Sequence, residues 1–461
     1  MSKIPDLFPF QNIDVFRAIH KFKGRVILGH DLGLGKSCMS LHVAEHFRDD
    51  SPVIVCCPNS TKWGWEIEIH KHTRHRVWVL SGRTPPIRKP LDIPPFIVLN
   101  WDILTYWKNF LILLKPKIVI GDECQYIKDH TTLRTKAFIQ LCMGVPHVIP
   151  LSATPIENGP IEFFNILNVL QPNLFPSYRR FGFRFTNAKK IPWGSGWKFE
   201  GSAREEELNK ILTDNILIRR LKKDVFKELP PITRTTVPLD IDRKEYDEAE
   251  HNFLGWLFKQ NPGKAMRVKN AVQLAKLGYL LGLIAKLKTS SVIEWIEDFL
   301  ADTDKKLVVF GHHRSFLEEL KSKFDKESVL VYGGIAGKKR QAAIDQFAND
   351  KKIRLFFGSI TAAGTGINKL QTVCSDVVIA EFIWTGTKIL QAEGRLDRIG
   401  QKNPVSAYYL VAKDTVESLL CATIHRKQKS VNAVVDNESV DSNEFNILGL
   451  MFDKLKKRRK V

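Results

Sequence analysis

The sequence predicts an α/β protein of two lobes, each a parallel sheet flanked by helices. Three observations carry that reading. Short β-rich apolar runs alternate with amphipathic stretches in the first third, the alternation returns after residue 300, and the segment between lacks it. In the first set, Val26–Gly29, Val53–Cys57, Phe96–Leu99, Ile118–Gly121 and Val148–Leu151 have the uninterrupted apolar character of strands buried on both faces. In the second, Leu307–Phe310, Val329–Val331, Leu355–Phe357, Val377–Ala380 and Ala407–Val411 repeat it. Residues from about 160 to 290 are expected to be mostly helical, with a Gly/Trp-rich break at Pro192–Gly201. The expected division is a first lobe over 1–240, including a helical protrusion from about 160, a second lobe over 241–436, and a basic tail over 437–461.

Composition narrows the function classes. Seventy Lys and Arg against 50 Asp and Glu leave a formal charge of +20, which points to a polyanionic partner. Six of the positive charges lie in Lys454–Lys460, so most of the surplus belongs to the body of the chain. With 44% hydrophobic residues the chain can build real cores, and disorder throughout is excluded. No apolar run reaches the roughly 18 residues of a membrane span, and the start has no apolar stretch of the secretory type. Seven cysteines, none in a C-x-x-C pair, fit a reduced intracellular protein. The expected compartment is the cytoplasm or nucleoid in a prokaryote or phage-infected cell, and the nucleus in a eukaryote.

The most informative local feature is Gly29-His30-Asp31-Leu32-Gly33-Leu34-Gly35-Lys36-Ser37, lying between a predicted strand and a predicted helix. A phosphate-binding loop needs small residues that let backbone N–H groups face phosphate oxygens. It also needs a Lys for the β- and γ-phosphates and a hydroxyl for Mg²⁺. Gly33, Gly35, Lys36 and Ser37 supply these, although His30 stands where the strict pattern has glycine. Farther on, the apolar run Ile118–Gly121 ends in Asp122 and Glu123. Paired acids at the end of a buried strand are costly unless they have a task, here holding Mg²⁺ and polarising the attacking water. In the second lobe, Arg395 and Arg398 are spaced to share a helix face and to act as arginine fingers on the γ-phosphate.

Together these motifs resemble the superfamily II helicase motors, specifically the Swi/Snf-type ATP-dependent DNA translocases. The similar segments run in order: Phe10-Gln11, Asp31–Ser37, Cys57–Glu66, Asn100–Leu104, Asp122–Gln125, Leu151–Asn158, Val308–His313, Ser359–Asn368 and Gln391–Gln401. Ile218–Val225 also resembles a segment typical of the family, and the likeness covers roughly residues 8–430. Phe181–Gly201 looks like a stretch of the HARP-like annealing-helicase branch. It interleaves Phe181, Phe183, Phe185, Trp193, Trp197 and Phe199 with cations, a composition that suits stacking on bases or packing of its own aromatic residues. Cys124-Gln125 departs from the Ser/Ala-His pair usual in the family.

The resemblance implies two RecA-like lobes with a helical insertion between them, ATP and Mg²⁺ as cofactors, and DNA-dependent ATP hydrolysis by a monomeric motor. Gln11 is expected to read adenine, since an amide both donates and accepts. Lys36 and Ser37 take phosphate and metal, Asp122 the metal, and Glu123 the water. Ser152, Thr154, Gly364, Gly366 and Gln391 are expected to couple nucleotide state to DNA grip. Ser60, Lys62, Asn100, Thr361, Arg184, Lys189 and Lys190 are the expected DNA contacts, made to the backbone of duplex, forked or partly single-stranded DNA with little sequence preference. The alternatives are an RNA helicase, a restriction- or defence-type motor subunit, or a non-enzymatic nucleic-acid scaffold. His70, His72 and His75 form H-x-H-x-x-H, but no neighbouring cysteine or carboxylate set completes a metal site, so a basic helix face is expected. Cys56 and Cys57 are expected in the core, and His312 and His313 on a loop.

Overall fold

The computed structural model describes residues 6–153, 159–191, 196–225, 232–250, 265–335, 337–363, 369–383, 386–398 and 400–421. These form two compact units that divide after Lys227. The expected calls at Thr154, Trp193, Gly364 and Gly366 and the tail over 437–461 lie outside the described residues.

In the first unit the strands are β1 (Ile27–Leu28), β2 (Val53–Cys57), β3 (Val77–Val79), β4 (Phe96–Asn100), β5 (Ile118–Asp122) and β6 (His147–Leu151). A hairpin follows, β7 (Asn187–Lys190) with β8 (Trp197–Glu200), and then β9 (Leu217–Ile218). Apart from the hairpin, the sheet runs β3-β4-β2-β5-β6-β1-β9 with every pairing parallel. Such a sheet is covered on both faces, so β2 and β4 are buried at all five positions. On one face Ile54, Leu99, Trp101, Phe138 and Phe163 belong to one apolar cluster; on the other, Leu28, Val55, Val98 and Ile120 pack with Met39 and Val43.

The second unit holds β10 (Thr233–Leu239), β11 (Leu307–Gly311), β12 (Ser328–Val331), β13 (Leu355–Ser359), β14 (Asp376–Ile379) and β15 (Ser406–Ala412). Their order is β10-β15-β14-β11-β13-β12, again all parallel. A 38-residue helix, Ala265–Asp302, precedes β11. The α/β class with two parallel sheets is as expected. The described part of 160–290 is mostly helical, as expected, and also carries β7, β8, β9 and β10. One boundary differs: β10 pairs along its full length with β15, which ties residues from 233 to the second unit, so the first lobe ends before 240. No helix among the described residues is long and apolar enough to cross a membrane.

Candidate active site

Three helices frame the loop after β1: α1 (Pro9–His20), α2 (Lys36–Phe47) and α3 (Lys62–Thr73). Gly33 and Gly35 adopt φ of +83° and +81°, a region costly for a side chain. At Gly35 space is equally decisive, since a Cβ there would sit 2.3 Å from Gln11 Nε2. Gln11, buried beneath the loop, donates Nε2–H to the Leu34 carbonyl at 3.0 Å and accepts from Phe8 N–H at 2.9 Å. Each of its amide atoms has one further hydrogen-bonding valence, which is what reading adenine requires.

Lys36 opens α2 and folds back under the loop, where Nζ donates to the carbonyls of His30 at 2.7 Å and Asp31 at 3.1 Å. Burial of the ammonium lowers its pKa to about 8, resisted by Glu123, Asp31 and Asp122. Ser37 follows in the first turn of α2.

Asp122 ends β5 and is gripped by two indoles. Trp65 donates Nε1–H to its Oδ2 at 2.9 Å, and Trp101 donates to its carbonyl at 3.0 Å. Burial and the adjacent Glu123 push its carboxyl up to about 7, against the pull of the Trp65 N–H and Lys36. Glu123 is held at φ +51°, a strained backbone conformation for a residue with a side chain. Its Oε2 accepts from Gln125 Nε2 at 2.7 Å, and Gln125 Oε1 accepts from Ser152 Oγ at 2.9 Å. A continuous bridge thus joins the acid at the end of β5 to the residue following β6.

His30 is fully buried, and its Nε2 lies 2.9 Å from Asp14 Oδ2 on α1. Arg220 grips the same carboxylate, with Nη2 2.9 Å from Oδ1. Burial raises the Asp14 pKa, but the bonds from His30 and Arg220 outweigh it and the carboxyl rests below its ordinary value. Burial likewise lowers the pKa of His30, against the opposing pull of Asp14. Arg219 donates to the carbonyls of Gly29 at 2.6 Å and Ala153 at 3.2 Å, and Asp31 Oδ2 accepts from Lys222 N–H at 2.9 Å. The segment after β9 therefore clamps the loop from behind. That is why a histidine is tolerated where the strict motif has glycine: its ring points away into a salt-bridged pocket.

Residues 13–276 match the family model described as SNF2-related domain, and residues 289–400 match the helicase conserved C-terminal domain. The chain belongs to the SNF2-related family. It is 31% identical over 434 residues to the Xenopus laevis SWI/SNF-related matrix-associated actin-dependent regulator of chromatin subfamily A-like protein 1, covering 92% of this chain and 44% of that one. To the mouse DNA annealing helicase and endonuclease ZRANB3 it is 29% identical over 454 residues, covering 93% and 41%. The chain thus spans less than half the length of these two relatives. The Sulfolobus solfataricus SWI2/SNF2 ATPase core in complex with dsDNA aligns with a TM-score of 0.43 and 22% identity, over 98% of this chain and 97% of that one.

Membership of the SNF2-related family implies the use of ATP, and the residues present fit ATP with Mg²⁺. The glycine turns suit a loop whose N–H groups take phosphate, Lys36 is paired among the described residues with loop carbonyls that a phosphate outcompetes, and Ser37 with Asp122 is an all-oxygen donor set of the kind Mg²⁺ prefers.

Other expected site residues are placed less simply. Lys62 is buried and donates to the Leu80 carbonyl at 3.0 Å, so its ammonium does not reach a surface where DNA phosphates could lie. Asn100 is also buried and donates to Asp102 at 3.3 Å. Ser60 lies in the 3₁₀ turn Asn59–Thr61, its side chain outside the described set. Thr361 is exposed, within hydrogen-bond range of Ser359 Oγ at 2.7 Å. Arg184 pairs with Glu207, whereas Lys189 and Lys190 stand exposed on β7. Phe181 and Phe185 are buried in the first unit's core, while Phe183 and Trp197 remain 43% and 38% exposed and meet edge-on at 4.8 Å. The aromatic stretch therefore both packs its own rings and presents two outward.

In the second unit Gln391 is buried on the helix Gly386–Glu393. That helix stops before Arg395 and Arg398, which lie half-buried in the following turn rather than along a helical face. Arg398 Nε donates to the Gly394 carbonyl at 3.1 Å. Glu393, buried beside them, takes the Arg234 guanidinium of β10 at 2.8 Å. The loop after β11 is fixed similarly: His313 Nδ1 lies 2.6 Å from Glu381, which also accepts the N–H groups of His312 and His313.

Sequence reasoning gave no site role to Asp14, Arg219, Arg220 or Gln125. Arg219 and Arg220 stood in the family-like segment Ile218–Val225 and Gln125 stood where the family's histidine is usual, whereas Asp14 carried no local signal.

Proposed function

We propose that the chain is a DNA-dependent ATPase that translocates on double-stranded DNA and remodels forks or junctions. The observation that carries this reading is the joint placement of Lys36, Asp122 and Glu123 in the first unit of an SNF2-related chain. The two carboxylates are half-buried at the end of β5, and desolvation with the neighbouring Glu123 pushes that of Asp122 up to about 7.

In this proposal Lys36 leaves the His30 and Asp31 carbonyls for the β- and γ-phosphates, and the loop N–H groups take the remaining phosphate oxygens. Ser37 and Asp122 would hold Mg²⁺, which would supply positive charge against the phosphate oxygens. Glu123 orients and deprotonates the attacking water, positioned by the Gln125 bridge. In the second unit, Arg395 and Arg398 are the proposed arginine fingers, the role that the family resemblance implies. Ser152 passes the state of the acid toward the segment after β6, where Thr154 lies. DNA is held by phosphate contacts from the exposed basic positions, Lys189 and Lys190 among them, with Trp197 and Phe183 available to stack at a strand end. Annealing activity is the finer reading, drawn from the mouse relative's name, and the exposed pair of rings beside lysines supports it.

The test is phosphate release with single-stranded, duplex and forked DNA and with RNA, followed by a strand-annealing assay. Stimulation by duplex or forked DNA is expected. Stimulation by RNA alone favours the RNA-helicase reading, and no hydrolysis under any condition leaves a binding scaffold.

A further inference from the structure

We propose that Cys38, His42 and His72 form a binding site for a single borderline transition-metal cation of the Zn²⁺ type, with water in the fourth position. Cys38 and His42 are one helical turn apart on α2, and His72 reaches them from α3. Cys38 Sγ lies 3.4 Å from His72 Nδ1 and 3.8 Å from His42 Nδ1. One ligand atom from each of the three residues falls within 4.8 Å of the others. Thiolate at about 2.3 Å and imidazole at about 2.0–2.1 Å around a tetrahedral ion stand roughly 3.5–3.6 Å apart, and the 3.4 Å from Cys38 Sγ to His72 Nδ1 is already close to that spacing.

An independent feature lies one bond outward. A metal-bound imidazole ordinarily donates its other N–H to a carboxylate or carbonyl, which fixes the tautomer. His72 Nε2 lies 3.3 Å from Glu68 Oε2, on the side away from the thiol. His42 Nδ1 lies 2.9 Å from the Cys38 carbonyl, and donating to it leaves the lone pair on Nε2. Both rings therefore have the outer partner that a ligand needs. His70 is exposed and His75 pairs with Glu45 at 3.1 Å, so only the middle histidine of H-x-H-x-x-H takes part. The sequence reading found no cysteine or carboxylate set to complete a site with these histidines; the thiol that lies beside His72 comes from 34 positions earlier.

Burial pushes the Cys38 thiol up to about 12, so the resting group is S–H and not a reactive thiolate. Coordination exchanges that proton for the cation: the S–H bond breaks, the sulfur keeps the electron pair and donates it to the metal, and the proton leaves to buffer without any change of oxidation state. The ion would pin α2, which begins with Lys36, to α3, which carries the Trp65 that holds Asp122.

The full chain, freed of metal with a chelator and dialysed, is titrated with Co²⁺ and followed by absorption, then challenged with Zn²⁺. One Co²⁺ per chain is expected, with a thiolate-to-cobalt band that Zn²⁺ abolishes. Cys38→Ser should lose the band and bind at least about tenfold more weakly, and Glu68→Gln should keep the band with affinity reduced about tenfold. Circular dichroism and urea midpoints without metal verify that both variants fold. Absence of the band in the wild-type chain, or its persistence in folded Cys38→Ser, overturns the site. Full affinity in Glu68→Gln removes the carboxylate's part in the proposal.

Discussion

Replacing Asp14 with alanine tests how the phosphate loop is held. Asp14 is completely buried, and its two oxygens receive His30 Nε2 and Arg220 Nη2, each at 2.9 Å. Removing the acid strands the imidazole of His30, which has no access to water, and the guanidinium of Arg220, which keeps 30% exposure. Breaking a buried pair from one side costs about 3–5 kcal/mol, and the partial exposure of Arg220 places this case near the lower end, about 3 kcal/mol. That is roughly a hundredfold in the folding equilibrium of the first unit. Urea unfolding followed by tryptophan fluorescence reads it well, because seven of the ten tryptophans precede residue 200. Asp14→Asn, which keeps an acceptor but no charge, should lose about half as much. A cycle with Arg220→Ala should show coupling of at least about 1 kcal/mol. Because Lys36 hangs from the His30 carbonyl, Asp14→Ala should also weaken nucleotide binding. A loss under about 1 kcal/mol, the range of an exposed ion pair, would refute the clamp.

Three further outcomes follow from the same geometry. Gln125→Ala severs the bridge from Glu123 to Ser152 and should lower kcat for ATP hydrolysis between about ten- and a hundredfold with KM little changed, while Gln125→His should restore much of the rate; a large rise in KM would contradict a positioning role. Glu417→Ala abandons the fully buried Lys288 ammonium, 2.5 Å from the carboxylate, and should destabilise the second unit by about 3–5 kcal/mol, whereas Lys288→Met with Glu417→Leu should cost far less by calorimetry. Glu381 raises the pKa of His313, so that pair contributes fully below the unfolded value of about 6.5 and is lost as pH rises through the folded value. The melting-temperature gap between wild type and His313→Gln should therefore narrow from pH 6 to pH 8, and a widening gap would show the sign to be wrong.

The buried strands were legible in the sequence because a parallel sheet covered on both faces writes itself as an apolar run: β2, β4, β5, β11, β13 and β14 all show it. The strands that escaped in the two large sheets lie at their edges. β3 is three residues long and β9 two, too short for any period to register. β10 reads Thr-Arg-Thr-Thr-Val-Pro-Leu, exposed along most of its length and carrying a proline that only an edge accepts. In the active site, whatever is written within a few residues was readable: the glycines beside Lys36, and the acids that end β5. What was not readable depends on pairing distant segments. Asp14 meets Arg220 across 206 positions, and Cys38 meets His72 across 34. Lys62 shows the converse, a cation in a DNA-contact motif whose position gave no warning that folding would bury it.

The most direct measurement is phosphate release by the wild-type chain and by Glu123→Gln, each with and without duplex DNA, alongside nucleotide binding by each. Duplex DNA should stimulate the wild-type rate severalfold. Glu123→Gln should bind ATP normally yet turn over about 10²–10⁴ times more slowly, because the substitution removes the base and leaves Lys36, Ser37 and Asp122 in place. A wild-type rate indifferent to DNA, or a Glu123→Gln rate close to wild type, would contradict the proposed mechanism.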